Sequence, residues 1–217
     1  MPRDAQGSEY RHDDAERAAL VARGRRLEVL TVGWNSLEAA VALISGLLAG
    51  STALIGFGLD SLIETTSAVI VLWRLRVDAD VERRERSERL AHRFVGVCFL
   101  LLAAYVAVES VRALLDRESP AVSVPGILVA AAAVVAMPLL ARAKRTVAAR
   151  LGSRALASDS READFCAYLS AVLLAGLLLN ALLGWWWADP AAALVMVPII
   201  AREGATGLQD RHCDDCA

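Results

Sequence analysis

Asp60 and Glu64 stand four residues apart in a stretch that is otherwise almost free of charge. On a helix that spacing puts both carboxylates on one face, one turn apart. The same spacing recurs at Glu162 and Cys166, with Asp159 three residues before Glu162 on nearly the same stripe. Two helices bearing Asp60, Glu64, Glu162 and Cys166 can therefore present four facing donors to a divalent cation in a tetrahedral site. The thiolate disfavours magnesium and calcium, which take oxygen shells, and leaves zinc, cadmium, iron, cobalt and manganese open. Each donor must lose its proton to bind metal and can regain it afterwards, so such a site is able to couple metal release to proton uptake.

Other polar residues in apolar surroundings are more ambiguous. Asp159 fits either the ligand stripe or a helix N-cap, with Glu162 completing a capping box. Glu162 stands close to a charged loop, where a carboxylate can also snorkel to the interface. Glu38 lies in the middle of an apolar segment with three readings open: proton relay, secondary ligand, or hydrogen-bonded neighbour of Asn35, Ser36 or Asn180. Glu109 and Arg112 read as an interfacial pair, and Asp189 beside Pro190 as the cap of a late helix. His212, Cys213 and Cys216 near the end of the chain read equally as a metal-capture or redox element and as a flexible tail that contains thiols.

Apolar elements must position these groups. The 217 residues are 56% hydrophobic and 22% charged, with a net charge of -2 and a mean hydropathy of +0.45. The charges are segregated: Ala39 to Leu59, Ser119 to Ala141 and Phe165 to Ala188 hold 21, 23 and 24 residues without Lys, Arg, Asp or Glu. Each is as long as the roughly 20 residues that a bilayer-crossing helix needs, which excludes a water-soluble enzyme. The pattern predicts an all-α, six-helix transmembrane bundle. Its spans lie near 29 to 49, 53 to 75, 94 to 115, 122 to 141, 165 to 183 and 186 to 203, with a tight turn at Gly50 to Thr52. Trp185, Trp186 and Trp187 form an interfacial belt before the sixth. Gly46, Gly50, Gly56 and Gly58 allow close approach of the first two helices, and Gly176 and Gly184 do the same around the fifth.

Basic residues orient the bundle. Segments 1 to 28, 76 to 92, 142 to 164 and 202 to 217 hold 19 of the 23 Lys and Arg, against Arg112 and Arg117 on the other side. That asymmetry places both termini in the cytosol. The expected organisation is a disordered cytosolic tail over 1–28, with a short helix from Leu20 to Leu30, a membrane domain over 29–204 and a short tail over 205–217. No signal peptide is expected. The basic loop from Arg142 to Arg161 suits anionic lipid rather than nucleic acid, and four cysteines are too few for a disulfide framework.

The second span reads Ser51-Thr-Ala-Leu-Ile-Gly-Phe-Gly-Leu-Asp60-Ser-Leu-Ile-Glu64, and the start of the fifth reads Asp159-Ser-Arg-Glu162-Ala-Asp-Phe-Cys166. In these segments, and at Glu109-Ser-Val-Arg112 and Trp187-Ala-Asp-Pro190, the chain resembles the cation diffusion facilitator family of metal exporters over residues 29 to 204. The resemblance puts Asp60, Glu64, Glu162 and Cys166 on the family's metal-binding positions, with Glu162 where His is common and Cys166 where Asp is common. Phe57 stands where a further Asp is common. The resemblance implies a homodimer that exports divalent metal against inward proton flow. Most members carry a cytosolic metal-binding, dimerising domain after the sixth span, where about 14 residues stand here.

These readings converge on a cell-membrane, multi-pass metal-ion antiporter for zinc or a similar transition metal. The metal is cargo, no cofactor is expected, and Glu64 and Glu162 are the expected proton acceptors. A metal-sensing or partner-binding membrane protein that keeps the site without transporting is the alternative. No base-activated nucleophile stands beside the carboxylates, which argues against an enzyme.

Overall fold

The computed structural model describes residues 4–74 and 81–208, with side chains described over 16–73, 93–153 and 156–208. The described residues form six helices: α1 (Asp4–Ala49), α2 (Thr52–Arg74), α3 (Val81–Leu115), α4 (Val124–Leu151), α5 (Arg154–Leu183) and α6 (Ala188–Leu208). All six are long and apolar enough to cross a bilayer. This is a multi-pass, all-α membrane bundle. The even number of crossings returns both ends of the described chain to one side.

Several helices outrun the predicted spans. The sequence predicts a short helix from Leu20, yet α1 begins at Asp4. Residues 4–30 are rich in Ala, Glu and Arg and contain no proline, so nothing interrupts the helix before the apolar part. Helices α4 and α5 extend ten and eleven residues beyond the predicted 141 and 165, through sequence that is basic but still helix-favouring. Pro138 in α4 and Pro198 in α6 both lie inside continuous helix. The His212, Cys213 and Cys216 tail lies outside the described residues.

Capping residues define the turns. Ser123 accepts a hydrogen bond from the Gly126 N–H at 3.1 Å and starts α4, where Pro125 fits the first turn. Gly152, with φ 62°, ends α4, and Ser153 then caps α5 by accepting from Leu156 N–H at 3.4 Å. Asp159 is thus well inside α5, and the capping-box reading of Asp159 with Glu162 is corrected. Asp189 is likewise not the expected cap of α6. It lies in the first turn of that helix, but its carboxylate accepts from Ser51 Oγ at 2.5 Å and from Ala53 N–H at 3.4 Å, at the start of α2.

Helix pairs α1 with α2, α4 with α5 and α3 with α6 are the most extensively packed. Small residues permit this. A Cβ on Gly58 would come within 2.7 Å of Leu43 in α1, and one on Gly176 within 2.5 Å of the Ala192 Cβ in α6. Gly56 differs from the expectation, since it faces Val106 of α3 rather than α1. The core gathers Phe57, Val106, Met137, Leu169, Leu173 and Met196. The outer surface is also apolar, with Leu48, Leu115, Leu128, Val135 and Leu182 more than half exposed, as suits contact with lipid hydrocarbon. Trp185 and Trp187 stack at 5.0 Å in the α5–α6 connection.

Candidate metal centre

Helix α2 turns one stripe inward. Leu54, Phe57, Asp60, Ser61, Glu64, Ala68 and Val71 recur at three- and four-residue steps and are all buried. The two carboxylates belong to that stripe by register, so folding the apolar members inward carries Asp60 and Glu64 with them. In α5 the equivalent stripe is Asp159, Glu162, Cys166, Leu169 and Leu173. In α1 it is polar for most of its length: Glu28, Thr31, Asn35 and Glu38 are buried before the apolar Ala42. Three helices therefore present polar faces to one interior.

Asp60, Glu64 and Cys166 meet there, each offering a donor atom within 4.8 Å of the others, and all three are buried. Asn35 donates from Nδ2 to Glu64 Oε2 at 3.0 Å and fixes that carboxylate from α1. Ser61 donates to Glu38 Oε1 at 2.7 Å, and the Cys166 thiol lies 3.6 Å from the same oxygen. Asp60 Oδ2, Glu38 Oε2 and Glu162 Oε2 are buried without a hydrogen-bond partner among the described residues. Buried carboxylate oxygens are nearly always satisfied in a finished fold, so a group of three without protein partners is a place able to take a cation or water.

Of the predicted donors, Asp60, Glu64 and Cys166 come together, while Glu162 is not a member of that tight group. Glu162 instead lines a narrow cleft with Asp60 and Glu64, where Glu203 of α6 joins them. Glu203 carries no mark in the sequence, because it is the last residue of the sixth predicted span and already falls in the segment 202 to 217 counted as cytosolic. Glu38, left with three readings, has Ser61 and Cys166 as partners rather than Ser36 or Asn180. Asn180 donates to Pro120 O at 3.0 Å and ties α5 to the α3–α4 connection. Phe57, on the position where a further Asp is common, is fully buried in the hydrophobic core.

A second charged group lies beside the cleft. Lys144 of α4 is fully buried and pairs with Asp159 of α5 and with Glu28 Oε2 of α1 at 3.3 Å. Among the basic residues assigned to lipid contact, Lys144 is thus a correction. It sits on the buried stripe of Met137, Ala141 and Ala148, which the sequence reading cut short at 141. Arg145, one residue on, fits the surface expectation and pairs with Asp164 at 2.5 Å. Glu109 and Arg112 form the expected exposed pair at 2.7 Å.

A six-helix membrane bundle with a buried cluster of carboxyl and thiol groups between its second and fifth helices is the architecture of a membrane protein able to hold an ion in its interior. Residues 29–206 match the family model described as the cation efflux transmembrane domain, and the chain belongs to that family, the cation diffusion facilitators. Its members are transporters rather than catalysts. The chain is 28% identical to transmembrane protein 163 of Xenopus laevis, over 87% of its own length and 69% of that protein's. It is 24% identical to an uncharacterized transporter of Methanocaldococcus jannaschii, over 80% of the chain and 63% of the relative. An uncharacterized transporter of Synechocystis is 26% identical over 78% of the chain and 57% of the relative. The chain thus spans less than two thirds of the length of these two transporters.

Proposed function

We propose that the protein moves a divalent transition-metal ion, zinc or a close analogue, out of the cytosol in exchange for protons. The observation that carries this reading is the convergence of Asp60, Glu64 and Cys166 within 4.8 Å in the membrane interior. Two carboxylates and a thiolate suit a borderline cation, and the sulfur disfavours magnesium and calcium. Glu162, which faces the same cleft, completes the set or passes the ion between the centre and the bundle end where Glu203 lies. Protons displaced from these donors on loading, and returned on release, give the exchange its coupling.

The charge bias of the loops supports an orientation with both termini cytosolic. In that orientation residues 29–204 form the membrane domain, 1–28 and 205–217 belong to the cytosolic side, and the bundle works as a homodimer. The test is reconstitution in liposomes. Metal-dependent fluorescence is followed for zinc, cadmium, manganese, iron and cobalt across an imposed pH gradient, beside a D60A/E64A variant. Gradient-dependent uptake that vanishes in the variant supports the reading, and metal binding without flux overturns the transport half of it.

A further inference from the structure

We infer that Glu38 of α1 is a ligand of the same metal centre, so that the ion is held among three helices, α1, α2 and α5, by Glu38, Asp60, Glu64 and Cys166. This rests on the reading of the Asp60, Glu64 and Cys166 cluster as a metal site.

The first support is a distance. A metal with a thiolate at about 2.3 Å and a carboxylate oxygen at about 2.1 Å, subtending a tetrahedral angle, holds those two donors about 3.6 Å apart. Cys166 Sγ and Glu38 Oε1 are separated by 3.6 Å. Glu38 is not among the donors that all lie within 4.8 Å of one another, so its carboxylate would have to turn toward Asp60 and Glu64 to close the tetrahedron with them. The cluster without Glu38 has three donors, one fewer than the four that structural sites for zinc-like ions hold.

The second support is an unsatisfied atom. Glu38 is fully buried, and its Oε2 has no hydrogen-bond partner among the described residues. Ser61 of α2 donates to Oε1 at 2.7 Å, and the Cys166 thiol of α5 approaches the same oxygen, which holds the carboxylate between the two helices. A carboxylate placed at membrane depth only for helix packing would have both oxygens satisfied or would reach the interface. Glu38 does neither.

The third is helix register. Glu28, Thr31, Asn35 and Glu38 form one inward stripe, and Asn35, three residues from Glu38, donates to Glu64 at 3.0 Å. The stripe brings α1 against the face of α2 that carries Asp60 and Glu64, which puts Glu38 within reach of the centre by a side-chain movement.

Cobalt(II) is the probe, added to the purified full chain in detergent. In a background carrying C213S and C216S, which removes the thiols of the tail, the sulfur-to-cobalt charge-transfer band reports Cys166, and the intensity of the d–d bands reports whether coordination is tetrahedral. E38Q, which keeps the shape and the Ser61 contact, is expected to weaken binding at least about 10-fold. At saturation it should keep the charge-transfer band and lose d–d intensity. E38D, which keeps the charge and withdraws it by one methylene, is also expected to weaken binding and covers the case in which E38Q does not fold. Affinity within about twofold of the parent, with an unchanged spectrum, in whichever variant folds overturns the inference. If D60A/E64A abolishes binding in that same series, only the role of Glu38 falls. If the parent binds no cobalt at all, the metal-site reading falls and this inference with it.

Discussion

Asp189 of α6 accepts a hydrogen bond from Ser51 Oγ at 2.5 Å, across 138 residues of sequence. Ser51 in turn accepts from Leu54 N–H at 3.1 Å, and Asp189 Oδ2 accepts from Ala53 N–H at 3.4 Å. The first turn of α2 is therefore capped twice, once by its own serine and once by a carboxylate from another helix. Both favour the positive end of the helix dipole. This joint lies at one end of the helix that bears Asp60 and Glu64, so it sets their height in the bundle.

Asp189→Ala strands the Ser51 hydroxyl and a backbone N–H in a buried position. The expected loss is about 1–3 kcal/mol, read as a lower unfolding midpoint in detergent. Asp189→Asn keeps an acceptor and should lose less. Because α2 loses its anchor, metal affinity is expected to fall together with stability in the alanine variant and to recover with stability in the asparagine one.

Lys144 bridges Asp159 and Glu28 with no exposure to solvent. Lys144→Met leaves two buried carboxylates without a counter-charge. Breaking such a group by removing one partner costs about 3–5 kcal/mol, and the protein should accumulate poorly in the membrane. A Lys144→Met variant that also carries Glu28→Gln and Asp159→Asn has no buried charge to compensate and is expected to regain most of the loss. If the triple variant is no better than the single one, the ion group is not what holds α1, α4 and α5 together at this end. The check is the unfolding midpoint of each variant in the same detergent.

Span number and the paired donors were legible because both depend on short-range regularities. Charge-free runs long enough to cross a bilayer give the spans, and four-residue spacing gives Asp60 with Glu64 and Glu162 with Cys166. What was hidden depends on which element comes to lie beside which. Ser51 and Asp189 carry no local mark of their pairing. Lys144 looks like one more residue of a basic loop until α4 is known to continue past Ala141 with Lys144 on its inner stripe. Glu38 could have been read further: Glu28, Thr31, Asn35 and Glu38 keep a buried seven-residue rhythm, and polar groups in that rhythm inside an apolar segment signal an inward polar face. That α5 brings Cys166 against that face is a tertiary fact with no counterpart in the sequence of α1.

Helices α3 and α6 cross where Gly96 meets Gly204. A Cβ on Gly96 would lie 2.8 Å from Gly204 O, and one on Gly204 would lie 2.9 Å from Gly96 O, so in both cases the obstacle is backbone, which has no rotamer to yield. Gly96→Ala and Gly204→Ala are each expected to cost about 1–3 kcal/mol. Gly33 of α1 has open space where its Cβ would be, and Gly33→Ala should be neutral or slightly stabilising. Unfolding midpoints of the three variants test this. Helix propensity alone favours alanine at each position, so a loss at Gly33 equal to that at Gly96 would mean that the close crossing of α3 and α6 is not what governs the response.

In the proposed centre Cys166 is the soft donor, and its replacement should change metal choice more than metal affinity as a whole. Cys166→Asp, which restores a carboxylate at that position, keeps the number of donors and makes them all oxygen. Cadmium, which favours sulfur, is expected to lose ground to manganese, which favours oxygen. Competition between the two ions for the purified protein measures the ratio, and at least a tenfold change toward manganese, about 1.4 kcal/mol, is expected. Acidity provides the companion measurement. Every donor that binds the ion must first give up its proton, so falling pH weakens binding, by about tenfold per pH unit for each proton displaced. The slope counts those protons. With a thiol replaced by a carboxyl, which ionises far more readily in water, the weakening is expected to set in at lower pH in Cys166→Asp than in the parent. A parent affinity that does not change with pH would break the link between metal loading and proton release on which the proposed exchange depends.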